Sequence, residues 1–249
     1  MERLSADTWH LFLAAPGITA RVHAGQFVMA AVGAGYDPLL RRPFSVHFAE
    51  GDDLILYFRV VGKGTEMLAS LHPGDRLSLL GPLGKGFKLT EGLAILVGGG
   101  IGIAPLLLLA KELADGNNPA AAIILAGRTK AEVTPLAASF QPWTKNLIFA
   151  TDDGSFGIRG RADEAVASLP PMPGAVVYTC GPQPMLRAIA HFCRDHKMKC
   201  QVSVESAMAC GMGACLGCAR PAARPAEGGG YVHVCLDGPV FDAEALPWD

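Results

Sequence analysis

Short apolar runs separated by turn residues fill the stretch from residue 1 to residue 90. The runs are Trp9–Leu13, Phe27–Ala31, Phe44–Phe48, Leu54–Val61 and Arg76–Leu80. Gly and Asp residues stand between them, as in Gly51-Asp52 and Gly74-Asp75. Strand-length runs bounded by turn residues are typical of all-β domains. This part of the chain therefore predicts a small antiparallel barrel or sandwich.

Between residues 91 and 200, apolar runs alternate with longer segments that suit helices. The runs are Leu93–Val97, Ala122–Leu125, Leu147–Ala150 and Val176–Tyr178, and the longer segments are Pro105–Ala114, Ala131–Phe140, Arg161–Ser168 and Pro184–Asp195. Such alternation predicts βαβ units and a parallel sheet with helices on both faces. Pro105 and Pro184 fit the first turn of a helix, where a missing N–H does no harm.

Residues 201–249 form a third, shorter unit. It opens with a strand-like run, Gln201–Glu205, and later reaches a second one at Tyr231–Cys235, followed by a turn at Asp237-Gly238. Pro221–Gly230, between them, is rich in Pro, Ala and Gly and predicts a loop. The expected fold class is thus an antiparallel β-barrel, a parallel-sheet α/β domain and a small C-terminal unit, with boundaries at 1–90, 91–200 and 201–249.

Composition indicates a globular protein and excludes several functions. Half of the 249 residues are hydrophobic, 18% are charged and the net charge is −2. Because no long basic run is present, binding to nucleic acid or to an anionic membrane through bulk electrostatics is not expected. Residues 1–10 lack the apolar core of a signal peptide, and glycines interrupt the most apolar stretch, Leu93–Ala110, too often for a membrane span. A soluble, cytoplasmic protein is expected.

The cysteines point to a metal. All seven lie after residue 179, and an odd number at one end argues against a secreted disulfide framework. Cys210, Cys215 and Cys218 follow the spacing Cys-x4-Cys-x2-Cys, and Cys235 lies further along. This is the plant-type spacing for a 2Fe-2S cluster. Glycines in the loop supply the tight backbone curl that converging thiolates require.

Two alternatives remain open for these four cysteines. They could bind zinc, although structural zinc sites usually pair their ligands in two short-spaced knuckles, or they could be unrelated buried thiols. Cys193 and Cys200 are expected in the core, since Cys193 shares a helix face with Ile189 and Cys200 begins a strand.

A glycine-rich turn follows the first apolar run of the α/β region. The glycines are Gly98, Gly99, Gly100 and Gly102. The amides of such a turn, followed by a helix, can receive a pyrophosphate. A tight turn that binds nothing has the same pattern, so the alternative stays open.

Two further segments should reach the same edge of the sheet. Cys180, Gly181 and Pro182 follow the last predicted strand and precede a helix. Thr151–Ser155 also follows a strand, although it suits an ordinary Asp-Gly turn equally well. Ligands of open α/β folds bind at the carboxyl edge of the sheet.

The N-terminal domain offers residues suited to a flavin nucleotide. They are Arg42, Pro43, Phe44 and Ser45 at the start of a strand, Tyr57, Phe58 and Arg59 at the end of another, and Gly64 with Thr65. Arg can pair with phosphate and a hydroxyl can contact a heterocycle edge. Thr65 is expected to be the N-cap of a short helix over Glu66–Leu71, which would be a further anion site. Surface arginines and core aromatics are the alternative explanation.

These segments, in this order, resemble the ferredoxin–NADP reductase superfamily and, within it, the electron-transfer (iron–sulfur) subunits of dihydroorotate dehydrogenase B. The resemblance covers essentially the whole chain. It rests on Leu39–Ser45, Gly81–Phe87, Gly98–Gly102, Cys180–Pro182, Met208–Cys218 and Val234–Phe241, of which the last two are the most specific.

The resemblance implies three cofactors and a partner. FAD would bind through Arg42–Ser45, Tyr57–Arg59, Gly64 and Thr65, and NAD at the glycine turn and the Cys180–Pro182 loop. The 2Fe-2S cluster would be held by the four cysteines named above. The partner would be the FMN-containing catalytic subunit that oxidises dihydroorotate in pyrimidine synthesis, in a heterotetramer of two pairs. No side chain of this chain is required as an acid or base.

Two residue positions and two rival functions complete these expectations. Phe44 stands where relatives often have an aliphatic residue or tyrosine, and Arg128 with Lys130 could meet the 2′-phosphate of NADP. One rival is a flavin and 2Fe-2S subunit of another complex, of the ferredoxin–NADP oxidoreductase or sulfide dehydrogenase type, in which the first cluster ligand is often Asp rather than the Cys210 found here. The other rival is a non-enzymatic zinc-binding or regulatory module.

Overall fold

In the computed structural model, which describes residues 1–33, 35–226 and 229–248, two large sheets pack together beside a separate hairpin. The first sheet contains β1 (Glu2–Arg3), β2 (Thr8–Ala14), β3 (Phe27–Ala31), β4 (Arg42–Glu50), β5 (Asp53–Arg59) and β6 (Ser78–Leu83). Two short helices, α1 (Pro16–Thr19) and α2 (Lys63–Ala69), connect its strands. The order is β1-β2-β5-β4-β3-β6 and every pair is antiparallel.

Strand β4 joins the two halves of this sheet. Its first residues, 42–45, pair with β3, whereas residues 46–50 pair with β5. A strand that changes neighbour along its length turns a corner, as strands of small closed β-folds do. The predicted small antiparallel β-domain is therefore confirmed.

Three details of this domain differ from the predictions. Strand β5 ends at Arg59 and not at Val61, because the Val61 amide leaves the ladder and donates to the Thr65 hydroxyl at 2.9 Å. The last strand runs over Ser78–Leu83 and not Arg76–Leu80, in the register that pairs Leu79 and Leu83 with β3. Thr65 is not the N-cap of α2, since the helix begins at Lys63 after Gly62.

The second sheet has the predicted parallel core. Its strands are β7 (Ala94–Gly99), β8 (Ala122–Gly127), β9 (Leu147–Thr151), β10 (Ile158–Arg159), β11 (Val176–Cys180) and β12 (Lys199–Ser203). Its helices are α3 (Leu106–Asp115), α4 (Lys130–Val133), α5 (Ala137–Phe140), α6 (Ala162–Ala167) and α7 (Gln183–Asp195). The order β10-β9-β8-β7-β11-β12 places the central strand β7 between β8 and β11, and all six strands are parallel.

The single helix predicted over Ala131–Phe140 is wrong. The segment is divided into α4, a 3-10 turn over Thr134–Leu136, and α5. Pro135 explains the break, because it has no N–H with which to continue the α-helical hydrogen bonds. A smaller difference is that Pro105 immediately precedes α3 instead of lying in its first turn.

The C-terminal unit is built from a hairpin and one strand that joins the α/β sheet. The hairpin strands are β13 (Ala219–Ala226) and β14 (Gly229–His233), and β15 (Val240–Asp242) pairs antiparallel with β12. The loop predicted over Pro221–Gly230 is therefore wrong where the structure describes it, and residues 227–228 lie outside the described part. Prolines are tolerated in such strands because each has an unpaired edge.

The second predicted strand of this unit begins and ends two residues earlier than expected, over Gly229–His233 instead of Tyr231–Cys235. β14 ends at His233, and a turn follows in which the amides of Leu236 and Asp237 donate to the His233 carbonyl at 3.0 and 2.8 Å. This turn presents Cys235 beside the cysteine loop. The domain boundaries at 1–90, 91–200 and 201–249 stay a prediction. Strand β12 runs across the last of them, between residues 200 and 201.

The core connects the three parts of the chain. Met29 of β3 belongs to the same buried cluster as Val97 of β7 and Cys218, Cys235 and Phe241 of the C-terminal unit. Cys193 and Cys200 are buried, as expected. Across the residues that the structure describes, no helix is both long enough and apolar enough to cross a bilayer.

Candidate functional site

The four predicted cluster cysteines lie together, on the loop before β13 and the turn after β14. They approach one another as two pairs. Cys218 Sγ lies 3.2 Å from Cys235 Sγ, and the Cys215 amide donates to Cys210 Sγ at 3.4 Å. The Gly213 amide donates to Cys235 Sγ at 3.1 Å and so ties the loop to the turn.

Backbone amides surround the sulfur atoms. Hydrogen bonds from the amides of Met212 and Cys215 lower the pKa of the Cys210 thiol to about 6. Burial, together with the neighbouring Cys218 thiol, raises the pKa of Cys235 to about 11. Amide donors of this kind stabilise bound thiolates and tune the potential of a cluster. Because ligands must be deprotonated, metal binding at this site would release protons.

The pairwise arrangement of the four cysteines matches the ligand count of a binuclear cluster. A 2Fe-2S cluster needs two cysteines for each iron, and the cysteine pairs 210/215 and 218/235 offer that number. The chemistry and arrangement of the donors therefore fit the cluster.

The cysteine loop rests directly on the β-domain. Gly211 has φ of +74°, and a Cβ added there would lie 2.5 Å from Met29 Cγ of β3 and 3.3 Å from Leu83 Cδ1 of β6. Met29 is in turn the ladder partner of Pro43 on β4. The cluster loop is thus one strand away from the predicted flavin residues 42–45.

The strongest flavin feature is the contact between Arg42 and the start of α2. A Cβ at Gly64 would lie 3.2 Å from Arg42 Nε, so a larger residue here would push the guanidinium away from this backbone. Arg42 Nη1 also donates to the Leu40 carbonyl at 2.6 Å. A cation held beside the first turn of a helix is suited to a pyrophosphate.

The structure gives the other predicted flavin residues different surroundings. Pro43 and Ser45 are half-buried on β4, and the Thr65 hydroxyl accepts from the Val61 and Gly62 amides at 2.9 and 3.2 Å. Phe44 and Phe58 are buried and pack edge to face with ring centres 5.9 Å apart. Their role towards a flavin stays a prediction.

Tyr57 lies in a buried aromatic layer between the β-domain and the α/β domain. Its ring centre is 5.7 Å from that of His10 and 5.5 Å from that of His47. The His47 Nδ1 atom is 2.7 Å from the carbonyl of Ala104, just after the glycine turn. Burial lowers the pKa of His47 to about 3, so the ring is neutral and Nδ1–H is the donor. This bond fixes the β-domain against the nucleotide turn.

The two predicted nucleotide segments touch each other. A Cβ at Gly102 would lie 2.5 Å from Gly181 Cα and 2.6 Å from the Cys180 carbonyl carbon. A Cβ at Gly99 would overlap the Met185 sulfur and lie 3.3 Å from Pro182 Cδ. The glycine turn therefore has room for no side chain where it faces the loop after β11.

A cleft of about 1310 Å³ opens at this carboxyl edge. The predicted residues in its lining are Gly99, Gly100, Gly102, Pro182 and Arg59. Gly98 is buried against Ile103 and Leu106, and Cys180 and Gly181 are buried behind the turn. The volume is ample for a dinucleotide, since most ligand pockets measure about 300–1,000 Å³.

Cys180 is not a reactive thiol. It is 3% exposed, and burial and the nearby Glu205 raise the pKa of its thiol to about 12. Glu205 itself opens into the cleft, where burial by the cleft walls raises the pKa of its carboxyl.

Sequence reasoning missed Glu205 and also Glu132 and Met185, which line the same cleft. The signal for Glu205 was available, because it comes two residues after a parallel strand that ends at this edge. Glu132 and Met185 lie inside helices, so nothing in their immediate sequence marks them.

Comparison with known proteins supports the same set of cofactors. Residues 205–247 match the family model described as the iron-sulfur cluster binding domain of dihydroorotate dehydrogenase B. A curated protein of Geobacillus thermodenitrificans, the electron transfer subunit of dihydroorotate dehydrogenase B (NAD(+)), is 41% identical over 97% of this chain and 94% of its own length. The same subunit of Desulforamulus reducens is 37% identical over 99% of this chain and 95% of its own.

Solved structures agree at the level of the whole chain. The structure of an NADH-dependent reduced ferredoxin–NADP oxidoreductase aligns over 99% of this chain and 87% of that one, with a TM-score of 0.87 and 26% identity. Phthalate dioxygenase reductase shares the fold, with a TM-score of 0.60 and 22% identity over 77% of this chain and 61% of that chain.

Proposed function

This chain belongs to the family of electron transfer subunits of dihydroorotate dehydrogenase B, and from this membership we propose that it carries electrons from a catalytic partner subunit to NAD⁺ through a 2Fe-2S cluster and FAD. A cluster carries one electron at a time, and a flavin supplies the conversion to two-electron hydride chemistry. The protein's own part is to hold the groups in order and to set their surroundings.

One observation carries the proposal: the cysteine loop lies on the strands of the β-domain next to residues 42–45. Gly211 contacts Met29 of β3, and Met29 pairs with Pro43 of β4. The nucleotide cleft reaches the same β-domain at another strand, since Arg59 at the end of β5 lines it. This arrangement favours a relay in which the flavin lies between cluster and nucleotide.

Within this relay we assign the residues as follows. Cys210, Cys215, Cys218 and Cys235 hold the iron, and Arg42 with the Gly64 backbone binds the flavin pyrophosphate. The glycine turn and the Pro182 loop receive NAD. We give Cys180 no role as an acid or base, because its thiol is buried and its pKa is raised to about 12.

The exposed side of the cysteine loop has the properties of a binding surface for a partner subunit. Met212, Leu216 and Leu236, which we call the cluster-side surface, are 52%, 58% and 54% exposed. Leu216 and Leu236 directly follow cluster cysteines in the sequence. Apolar side chains grouped at one place on a surface mark interaction sites. We assign this surface to the FMN-containing catalytic subunit, in a cytoplasmic heterotetramer of two pairs.

The test uses the complex with that subunit. Wild-type complex should reduce NAD⁺ in the presence of dihydroorotate and sediment at the mass of two pairs. Cys215→Ser should abolish this activity while NADH oxidation by ferricyanide, which needs only the flavin, is largely retained. Cys193→Ala is the matched control, because Cys193 is a core cysteine outside the cluster, and it should retain both activities.

Two results would contradict the proposal. Loss of both activities in Cys215→Ser with FAD still bound would show that the cluster and the flavin do not divide the work in this way. A wild-type complex that oxidises NADH but never dihydroorotate would favour the ferredoxin–NADP oxidoreductase type of subunit, whose fold is the same.

A further inference from the structure

Arg128 lines the cleft directly after β8, where the adenosine half of a dinucleotide would bind, and Lys130 follows it two residues later. Gly127 ends β8, and the ladder aligns Gly99 of the glycine turn with Ala126. In dinucleotide-binding folds the residues after the second strand meet the adenosine ribose. There, an acidic residue accepts from the 2′-hydroxyl of NAD, or an Arg pairs with the 2′-phosphate of NADP. The identity and state of the charges here therefore decide which nucleotide fits.

Arg128 is paired with a neighbouring carboxylate, although its side chain is 74% exposed. Its Nη2 and Nε donate to Glu132 Oε1 at 2.6 and 2.9 Å, and its own backbone amide donates to Glu132 Oε2 at 2.9 Å. Both oxygens of Glu132 are thus used by one residue. The Nε–Nη2 edge of the guanidinium, which could otherwise pair with a phosphate, is directed at this carboxylate.

Glu132 is held in this position by its surroundings. Its side chain is 15% exposed and lies 3.9 Å from Arg59 Nη2. A Cβ at Gly127 would lie 3.0 Å from Glu132 Cβ. Burial raises the pKa of Glu132, but hydrogen bonds from the Arg128 side chain and amide outweigh that effect and lower it overall. The carboxylate is ionised at neutral pH.

The wider group of charges is balanced, with three carboxylates and three cations. Asp7 pairs with Arg59 at 3.2 Å, and Asp152 follows β9 at the same edge and lines the cleft. The carboxylates of Asp7, Glu132 and Asp152 therefore face the guanidiniums of Arg59 and Arg128. The ammonium of Lys130 lies over the Phe156 ring, 5.3 Å from its centre.

From this arrangement we infer that Glu132 makes the cleft selective for NAD(H) over NADP(H), because its carboxylate occupies the Nε–Nη2 edge of Arg128 and would repel a 2′-phosphate placed against that edge. The inference rests on the proposed use of NAD and names the residue that enforces it. The sequence alone left NADP open because Arg128 looked available. The contact between Arg128 and Glu132 is what argues against NADP.

The test measures nucleotide binding directly and does not depend on loaded cofactors. Calorimetry with 5′-AMP and with adenosine 2′,5′-bisphosphate compares the wild-type chain with Glu132→Gln, which keeps the size of the side chain and removes its charge. A charge-assisted pair is worth about 1.5–3 kcal/mol, or about tenfold to a hundredfold in affinity. We expect Glu132→Gln to improve binding of the bisphosphate relative to 5′-AMP by about tenfold or more. Adding Arg128→Ala should cancel the gain.

Asp163→Asn is the matched control. Asp163 forms another carboxylate–arginine pair in the same cleft, with Arg161 Nε at 3.1 Å, yet it lies on α6, away from Arg128. This variant should leave the ratio of the two affinities within about twofold, since a neutralised pair far from the 2′ position carries no selectivity. An equal gain in Asp163→Asn would overturn the assignment to Glu132.

A second variant covers the case in which Glu132→Gln does not fold. Because Glu132 already occupies Arg128, Arg128→Ala in the otherwise wild-type chain should leave the ratio of bisphosphate to 5′-AMP affinity within about twofold. A loss of about tenfold or more in bisphosphate affinity would mean that Arg128 already binds the 2′-phosphate and would refute the inference. Binding of NADH with no selectivity change in folded Glu132→Gln would refute this inference alone, whereas failure to bind either 5′-AMP or NADH would also refute the proposed function.

Discussion

Acidification should weaken the contact between the β-domain and the nucleotide turn through one residue, His47. The ring is completely buried and its pKa is lowered to about 3 by burial. In the unfolded chain a histidine has its ordinary pKa of about 6.5. Between pH 6.5 and pH 3, the unfolded state therefore binds a proton at His47 that the folded state does not bind. The stability due to neutral His47 is complete above pH 6.5 and declines as the pH falls towards 3.

The magnitude follows from these two pKa values. At pH 5 the preference of the unfolded state for the proton amounts to about 2 kcal/mol relative to pH 7. His47→Asn removes the titration while its amide can still donate to the Ala104 carbonyl, which His47 Nδ1 meets at 2.7 Å. Urea unfolding at both pH values should show that the wild-type chain loses about 2 kcal/mol more than the variant between pH 7 and pH 5.

The comparison needs equal cofactor content in both proteins, and a surface control. The His72 side chain is 84% exposed, so His72→Asn should lose as much stability as the wild-type chain. Equal losses for wild type and His47→Asn would refute the reasoning, because they would mean that His47 is hydrated or protonated in the folded state.

Two glycines provide the remaining predictions. Gly102→Ala should weaken binding of 5′-AMP at least tenfold and destabilise the α/β domain by about 1–3 kcal/mol, since its Cβ would overlap the backbone of Gly181. Calorimetry and thermal unfolding check this against Gly17→Ala, which has free space around it. Gly211→Ala should cost about 2 kcal/mol from its positive φ and its overlap with Met29, and slow reduction of the cluster by NADH in stopped flow. Adding Met29→Ala to this variant should restore part of the rate of cluster reduction. An unchanged rate in Gly211→Ala would argue against electron transfer from the flavin to the cluster across the contact between Gly211 and Met29.

Local sequence patterns were sufficient for much of the fold. The parallel sheet followed from apolar runs alternating with helical segments, because each strand and helix is contiguous in the chain. The grouping of Cys210, Cys215 and Cys218 followed from spacing, since one loop carries all three. The break at Pro135 is also readable from the sequence, although the apolar pattern around it favours a single helix.

Features that depend on distant packing were not accessible in this way. Tyr57 looks like a ligand-contacting aromatic on its strand, but His10 and His47 come from other strands to bury it. Arg128 looks like a free cation until Glu132 is seen to occupy it. The hairpin β13–β14 was hidden by its prolines, which only their position at unpaired strand edges makes acceptable.

The central claim is that this single chain carries both a 2Fe-2S cluster and FAD and connects them to NAD. Its most direct test is anaerobic purification followed by analysis of iron, sulfide and flavin, and then titration with NADH in the spectrophotometer. The account predicts a yellow-brown protein with iron and acid-labile sulfide in equal amounts, about twice the FAD content, as a 2Fe-2S cluster requires. NADH should bleach the flavin and cluster absorbance together. A colourless protein containing zinc, or a flavin that NADH reduces while the cluster stays oxidised, would contradict it.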